Sequence, residues 1–146
     1  DVAYFIGSCL DENESAALLV ELMMVVAVIG IIMAISVPRY LSMQDRAREA
    51  DVVHLAHLVQ LAAEDAAARR DGVYSVDAAD LAPCLPESDL LRNPFTGDRT
   101  EPQFDAPATR AGQVGIELVM HGGTASGYVI SGFGRSEEVI RYLAGS

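Results

Sequence analysis

From Ala16 to Val37 the chain is apolar at almost every position, and Glu21 is the one charged side chain in that run. No helical three-to-four spacing and no strand-like alternation divides it. Its 22 residues, at about 1.5 Å each, predict a helix of about 33 Å, enough to cross the hydrocarbon core of a membrane. A buried core helix is the competing reading, and a chain this small has too little left over to wrap such a segment on every side. Ser15 is placed to cap the helix start through its hydroxyl.

Beyond Pro38 the pattern becomes periodic. Val52, Leu55, Ala56, Val59, Ala62, Ala63 and Ala66 recur at helical spacing as one apolar stripe, with Arg46, Arg48, Glu49, Asp51 and Glu64 on the other faces. No Pro or Gly occurs from Arg39 to Arg70, and Gly72 is the predicted stop. The whole reads as one helix of roughly 55 residues, apolar over 17–38 and amphipathic over 39–72. Pro38, at the join, removes a backbone donor and predicts a kink or break.

After Gly72 the texture changes again. Residues 76–91 read as a helical turn and a loop interrupted by Pro83 and Pro86, and residues 93–102, NPFTGDRTEP, as turns. Three β-like runs follow, at 113–121, 128–134 and 138–143, joined by GGTASG and RSE. They predict an antiparallel sheet of three to four strands built on a meander. The Val52–Ala66 stripe is its natural cover, which makes residues 73–146 an α+β head.

Composition narrows the function. A net charge of −11 argues against nucleic acid, whose phosphates would be repelled. Every basic residue other than histidine is Arg. Two cysteines, Cys9 and Cys84, are too few for a Cys-rich metal site. His54 and His57 lie three apart on the predicted helix, a metal-ligand spacing, but no Cys or carboxylate completes a set, so packed or solvated histidines are the simpler reading. Gly122, Gly123 and Gly127 lack the strand–helix context and Lys of a phosphate loop. No nucleophile elbow surrounds any Ser. The expectation is therefore no catalytic residue, no cofactor and no metal.

Glu21-Leu22-Met23 opening the apolar run, Gly30 within it, and Pro38 with Tyr40 after it resemble the N-terminal segment of type IV pilins and of type II secretion pseudopilins. The NPFTG, GQVGIELV and GYVISGFGRSEEVI stretches are similar to the short heads of that family, so the resemblance spans about residues 17–146. It implies a helical homopolymer with apolar helices bundled inside and heads outside. The subunit would sit in the inner membrane as a single-pass protein, be processed at its prepilin peptidase and methylation motif, and be passed by pilus assembly machinery into a filament on the cell surface. It implies that Glu21 pairs with the N-terminal amine of a neighbouring subunit, that Gly30 and Pro38 serve assembly, and that residues 30–38 are melted in the packed filament. The Gly/Asp-rich calcium loop of the pseudopilins is absent, which favours a pilin. A secretion pseudopilin and a single-pass membrane-anchored binding module stay open as alternatives.

The chain departs from the family pattern before Ala17, where the family's mature chain would start. Sixteen residues precede it; Ala16 stands where the family peptidase cuts after Gly; and the preceding segment is acidic where the family leader is basic. Residues 1–16 are an N-terminal extension or leader remnant, and with Asp1 as the mature start the amine would not lie beside Glu21. The extension would then run outward between subunits, because Asp11, Glu12 and Glu14 are too costly to bury unpaired, with Tyr4, Phe5 and Ile6 as a docking patch. Between stacked subunits Cys9 could meet Cys84 in a disulfide; two separate cysteines is the alternative.

Overall fold

The computed structural model describes the backbone of residues 2–145, with side chains for residues 15–86, 88–123 and 125–145. It contains two compact units, Asp1–Met43 and Gln44–Ser146. The longest element is α1, Val2–Ala68, followed by α2, Ala78–Leu81, and two single turns of 3-10 helix at Ala82–Cys84 and Pro86–Ser88. The strands are β1 (Leu91–Arg92), β2 (Arg99–Glu101), β3 (Gln103–Phe104), β4 (Val114–His121), β5 (Thr124–Phe133) and β6 (Glu138–Gly145).

In the first unit α1 differs from the sequence expectation at two places. It begins at Val2, so Ser15 lies inside the helix and caps nothing. It also continues through Pro38 instead of breaking there. Proline deletes one bond of the ladder, to the Ala34 carbonyl, and the residues on both sides keep theirs.

In the second unit the amphipathic half of α1 does what its periodicity predicts. Val52, Ala56, Val59, Ala62, Ala63 and Ala66 are buried in one core with Val114, Ile116, Tyr128 and Ile130 of the sheet. Leu81 and Leu85 close the core from the connecting segment. The helix ends at Ala68, four residues before the predicted stop at Gly72. The chain reverses there with Asp71 and Gly72 both at positive φ, and the Gly72 N–H reaches back to the Ala67 carbonyl at 2.9 Å. That six-to-one bond satisfies a carbonyl the helix end would otherwise leave open, and glycine takes the left-handed conformation without a Cβ penalty.

The main sheet runs in the order β3-β4-β5-β6. The meander β4–β5–β6 is antiparallel as expected, but β3 joins β4 in parallel, so the sheet is mixed. The hairpin turn is also tighter than GGTASG suggested: β5 starts at Thr124, directly after Gly122 and Gly123. The stretch read as turns, 93–102, contributes a strand, β2, which pairs with β1 in a second, two-stranded antiparallel sheet. Ion pairs tie the unit together: Arg135, between β5 and β6, to Asp45 of α1, and Arg70, just past α1, to Asp80 of α2.

Candidate functional site

Two places in the chain depart from what folding alone requires. One is the exposed half of α1. Every Val, Leu, Ile and Met from Leu18 to Val37 is 46–72 % exposed. From Ser15 on, α1 is long and apolar enough to cross a membrane, and no residue of its most apolar window is buried. Glu21 borders a shallow apolar groove of about 370 Å³ on this face, with Met24, Val25, Val28 and Ile29. Among the described residues, no hydrogen bond or ion pair reaches the Glu21 carboxylate. A helix that is apolar on all sides finds its stable environment only in lipid or against other helices. Gly30, named with Glu21 and Pro38 from sequence, has no heavy atom within 4 Å of where a Cβ would stand. The face is therefore open at its middle.

The other is a buried polar cluster in the head that the sequence reading missed. Asn93 and Glu101 are both almost fully buried. The Asn93 Oδ1 accepts the backbone N–H groups of Phe95 and Thr96, at 2.9 and 3.1 Å, which folds NPFTG into a loop between β1 and β2. Its Nδ2 donates to Glu101 Oε1 at 3.0 Å and to the Ala111 carbonyl at 3.2 Å. Glu101 accepts two further bonds, from the Val114 N–H and the Thr100 hydroxyl, each at 3.0 Å. Gly112, at φ 79°, makes room: a Cβ there would stand 2.0 Å from Asn93 Oδ1. Every buried polar side-chain atom among the described residues has a partner. The cluster's polar atoms are engaged with one another and with the backbone, and its work is to fix the loop on β4. The NPFTG motif was the visible half of this signal. Glu101, one acid among many in the sequence, gave none.

The remaining titratable groups are arranged for packing. The Tyr128 hydroxyl donates to Glu64 Oε1 at 2.6 Å, linking β5 to α1. Burial, and then the neighbouring Glu64 carboxylate, hold the Tyr128 phenol well above its usual range. Burial likewise pushes the Cys84 thiol up, with the Asp65 side chain acting in the same direction, so at neutral pH it is a protonated and poorly nucleophilic sulfur. Cys84 is a free thiol. The side chain of Cys9, with which the sequence reading allowed an inter-subunit disulfide, lies outside the described residues, as do those of Tyr4, Phe5 and Ile6. His57 lies 3.4 Å from Gln60 Oε1, and His54 lines a surface hollow with Asp51, Arg92 and Pro94. Among the described residues no three His, Cys, Asp or Glu side chains gather where a metal could be held.

Compared with family models, curated proteins and solved structures, the chain finds no significant match.

Proposed function

We propose that this chain is a structural subunit of a type IV pilus-like filament, assembled through the apolar half of α1. The observation that carries the reading is the contrast in cover along α1. Residues 18–37 present their apolar side chains to solvent on all sides, while residues 52–66 are sheltered by the subunit's own sheet. A bundle of such helices supplies the missing cover and leaves the acidic heads outside. In this reading the subunit waits in the inner membrane as a single-pass protein, is handled by a peptidase and an assembly machinery, and ends in a filament at the cell surface. Glu21 supports it further. A carboxylate at a bilayer centre costs about 2.5–3.5 kcal/mol on insertion scales, an upper bound for Glu21 near the start of the run, and a penalty that pairing in an assembled core would remove.

Electron microscopy of material sheared from cells, with mass spectrometry of the subunit N-terminus, tests the proposal. Filaments containing this chain are expected. A subunit found only as monomer in membranes, and never in sheared material, points instead to a single-pass anchored module built on the same helix.

A further inference from the structure

We infer that the head pairs with the head of a second copy, edge to edge along β6, in an antiparallel contact centred on Tyr142. The contact belongs to the head alone and goes beyond the assembly of the apolar helix. The two edges of the main sheet are built differently. At one, β3 is two residues long, lies between Pro102 and Pro107, and is followed by a bridge from Ala106 to Ile116 of β4. Shortness and proline deny an edge to other strands. At the other, β6 runs for eight residues and, among the described residues, has β5 as its only strand neighbour. Its protection is confined to the first half. Glu138 and Arg141 supply charge there, and the pairing with β5 slips between Gly132 and Phe133, whose partners are Ile140 and Glu138. From Ile140 to Gly145 the register is regular, and Tyr142 and Leu143 stand 41 % and 66 % exposed. An edge strand presents a row of unpaired N–H and C=O groups, and the occupant that satisfies such a row is another strand.

The strand that fits is β6 itself. Side chains alternate between the faces of a strand, so the registers that keep the helix-covered faces of both sheets on one side have a residue on the two-fold axis. With Arg141 on the axis, two guanidinium groups stand opposite each other, and like charges oppose that register. With Leu143 there, only residues 141–145 of the strand overlap, against 139–145 with Tyr142 there. In the Tyr142 register two phenol rings meet across the axis, Ile140 faces Ala144, and the stem of Arg141 lies along Leu143 of the other copy. A two-fold contact closes on itself. The subunits of one filament follow one another by a repeated step, so this contact joins the heads of two filaments lying side by side. A seven-residue contact is about 24 Å long and one strand wide, below the roughly 1,200 Å² of a stable interface. Single heads therefore pair weakly, and rows of heads pair firmly.

Substitutions at the exposed Leu143 test the register in cells producing the full chain. Leu143→Arg sets a guanidinium against Arg141 on each side of the axis, and Leu143→Glu sets a carboxylate there instead. Both put a charge at one exposed position, so a role of Leu143 in folding alone would make them behave alike. Electron micrographs of sheared material should show wild-type filaments in bundles and single filaments, at unchanged yield, from Leu143→Arg. Bundles should persist in Leu143→Glu and return when Arg141→Glu is combined with Leu143→Arg. Cross-linking reads the same contact without filaments. With Cys9→Ser and Cys84→Ser as background, Tyr142→Cys places two thiols on the axis with Cα atoms about 4.5–5.5 Å apart, within disulfide reach. Oxidised membranes should yield dimer and nothing larger, about tenfold more than from Met120→Cys, and adding Leu143→Arg should remove that excess. Met120 is exposed on β4, outside the contact. Wild-type filaments that stay single, equal behaviour of Leu143→Arg and Leu143→Glu, or no more dimer than from Met120→Cys overturns the inference. Sheared material without filaments counts against the filament reading and leaves the cross-link to decide the pairing.

Discussion

Residues 15–43 and 44–68 belong to one helix with the same backbone geometry and opposite surroundings. In the second segment roughly half of the positions can be polar, because the apolar stripe meets a sheet supplied by the same chain. In the first no such division exists, and among the described residues nothing in its own unit covers it. Secondary structure therefore says little about how a segment is stabilised; the width of its apolar surface says more. A narrow stripe can be matched by its own fold, whereas an all-round apolar surface commits the helix to partners outside it.

The comparison breaks most sharply at Glu21. Glu21→Ala should abolish or severely shorten filaments yet leave the chemical unfolding of the head, followed in detergent, within about 0.5 kcal/mol of wild type. Filaments at normal yield would sink the assembly role. The reverse experiment is Glu101→Ala. It leaves the Val114 N–H and the Asn93 amide buried without their acceptor, and head stability should fall by about 3 kcal/mol, with no effect on insertion of the apolar half into membranes. A loss under about 1 kcal/mol would mean that water replaces the carboxylate.

A matched pair of substitutions sharpens the contrast within α1. Val59→Ala opens space in the core and should cost the head about 2 kcal/mol, whereas Val28→Ala should leave it unchanged and alter only filament yield. Equal costs at the two positions would contradict the division into covered and uncovered halves. The smallest effect is expected at Tyr128, whose hydroxyl reaches a carboxylate on the exposed side of α1. Tyr128→Phe should cost about 1 kcal/mol at neutral pH. Because folding raises the phenol's pKa, the unfolded chain loses this proton first as pH rises. The stabilisation is complete below the unfolded value of about 10 and declines above it, by about 1.4 kcal/mol per pH unit until the folded form also ionises. In Tyr128→Phe this part of the alkaline decline should vanish, and an unchanged profile would assign it to other groups.

What could be read in the sequence follows the same physics. The Val52–Ala66 stripe and the β4–β5–β6 meander were legible because one-sided burial imposes a period, and the period survives in residue order. The apolar run was legible by length. The parallel β3–β4 pair was not, since two residues carry no period and their pairing depends on where the loop after Phe104 returns the chain. The passage of α1 through Pro38 ran against a local rule, because a rule about one lost bond does not weigh the many retained on either side. Glu21, Gly30 and Pro38 were singled out by their strangeness in an apolar run. Glu101 was invisible because its distinction is a set of three donors brought from residues 93, 100 and 114.

The seam between β5 and α1 also decides how this protein can be watched. The chain has no tryptophan, so its ultraviolet emission comes from five tyrosines. Tyr128 packs edge-on against Tyr74, ring centres 5.2 Å apart, with its hydroxyl held by Glu64. A phenol whose proton already leans toward a carboxylate emits weakly, because the excited ring readily gives that proton up. Unfolding the head separates Tyr128 from Glu64 and should brighten the signal instead of dimming it. Tyr40, on the exposed half of the helix, has no such acceptor among the described residues and should report little of that event. Light emission can thus follow the integrity of the head while the apolar helix stays in lipid, in detergent or among its own kind.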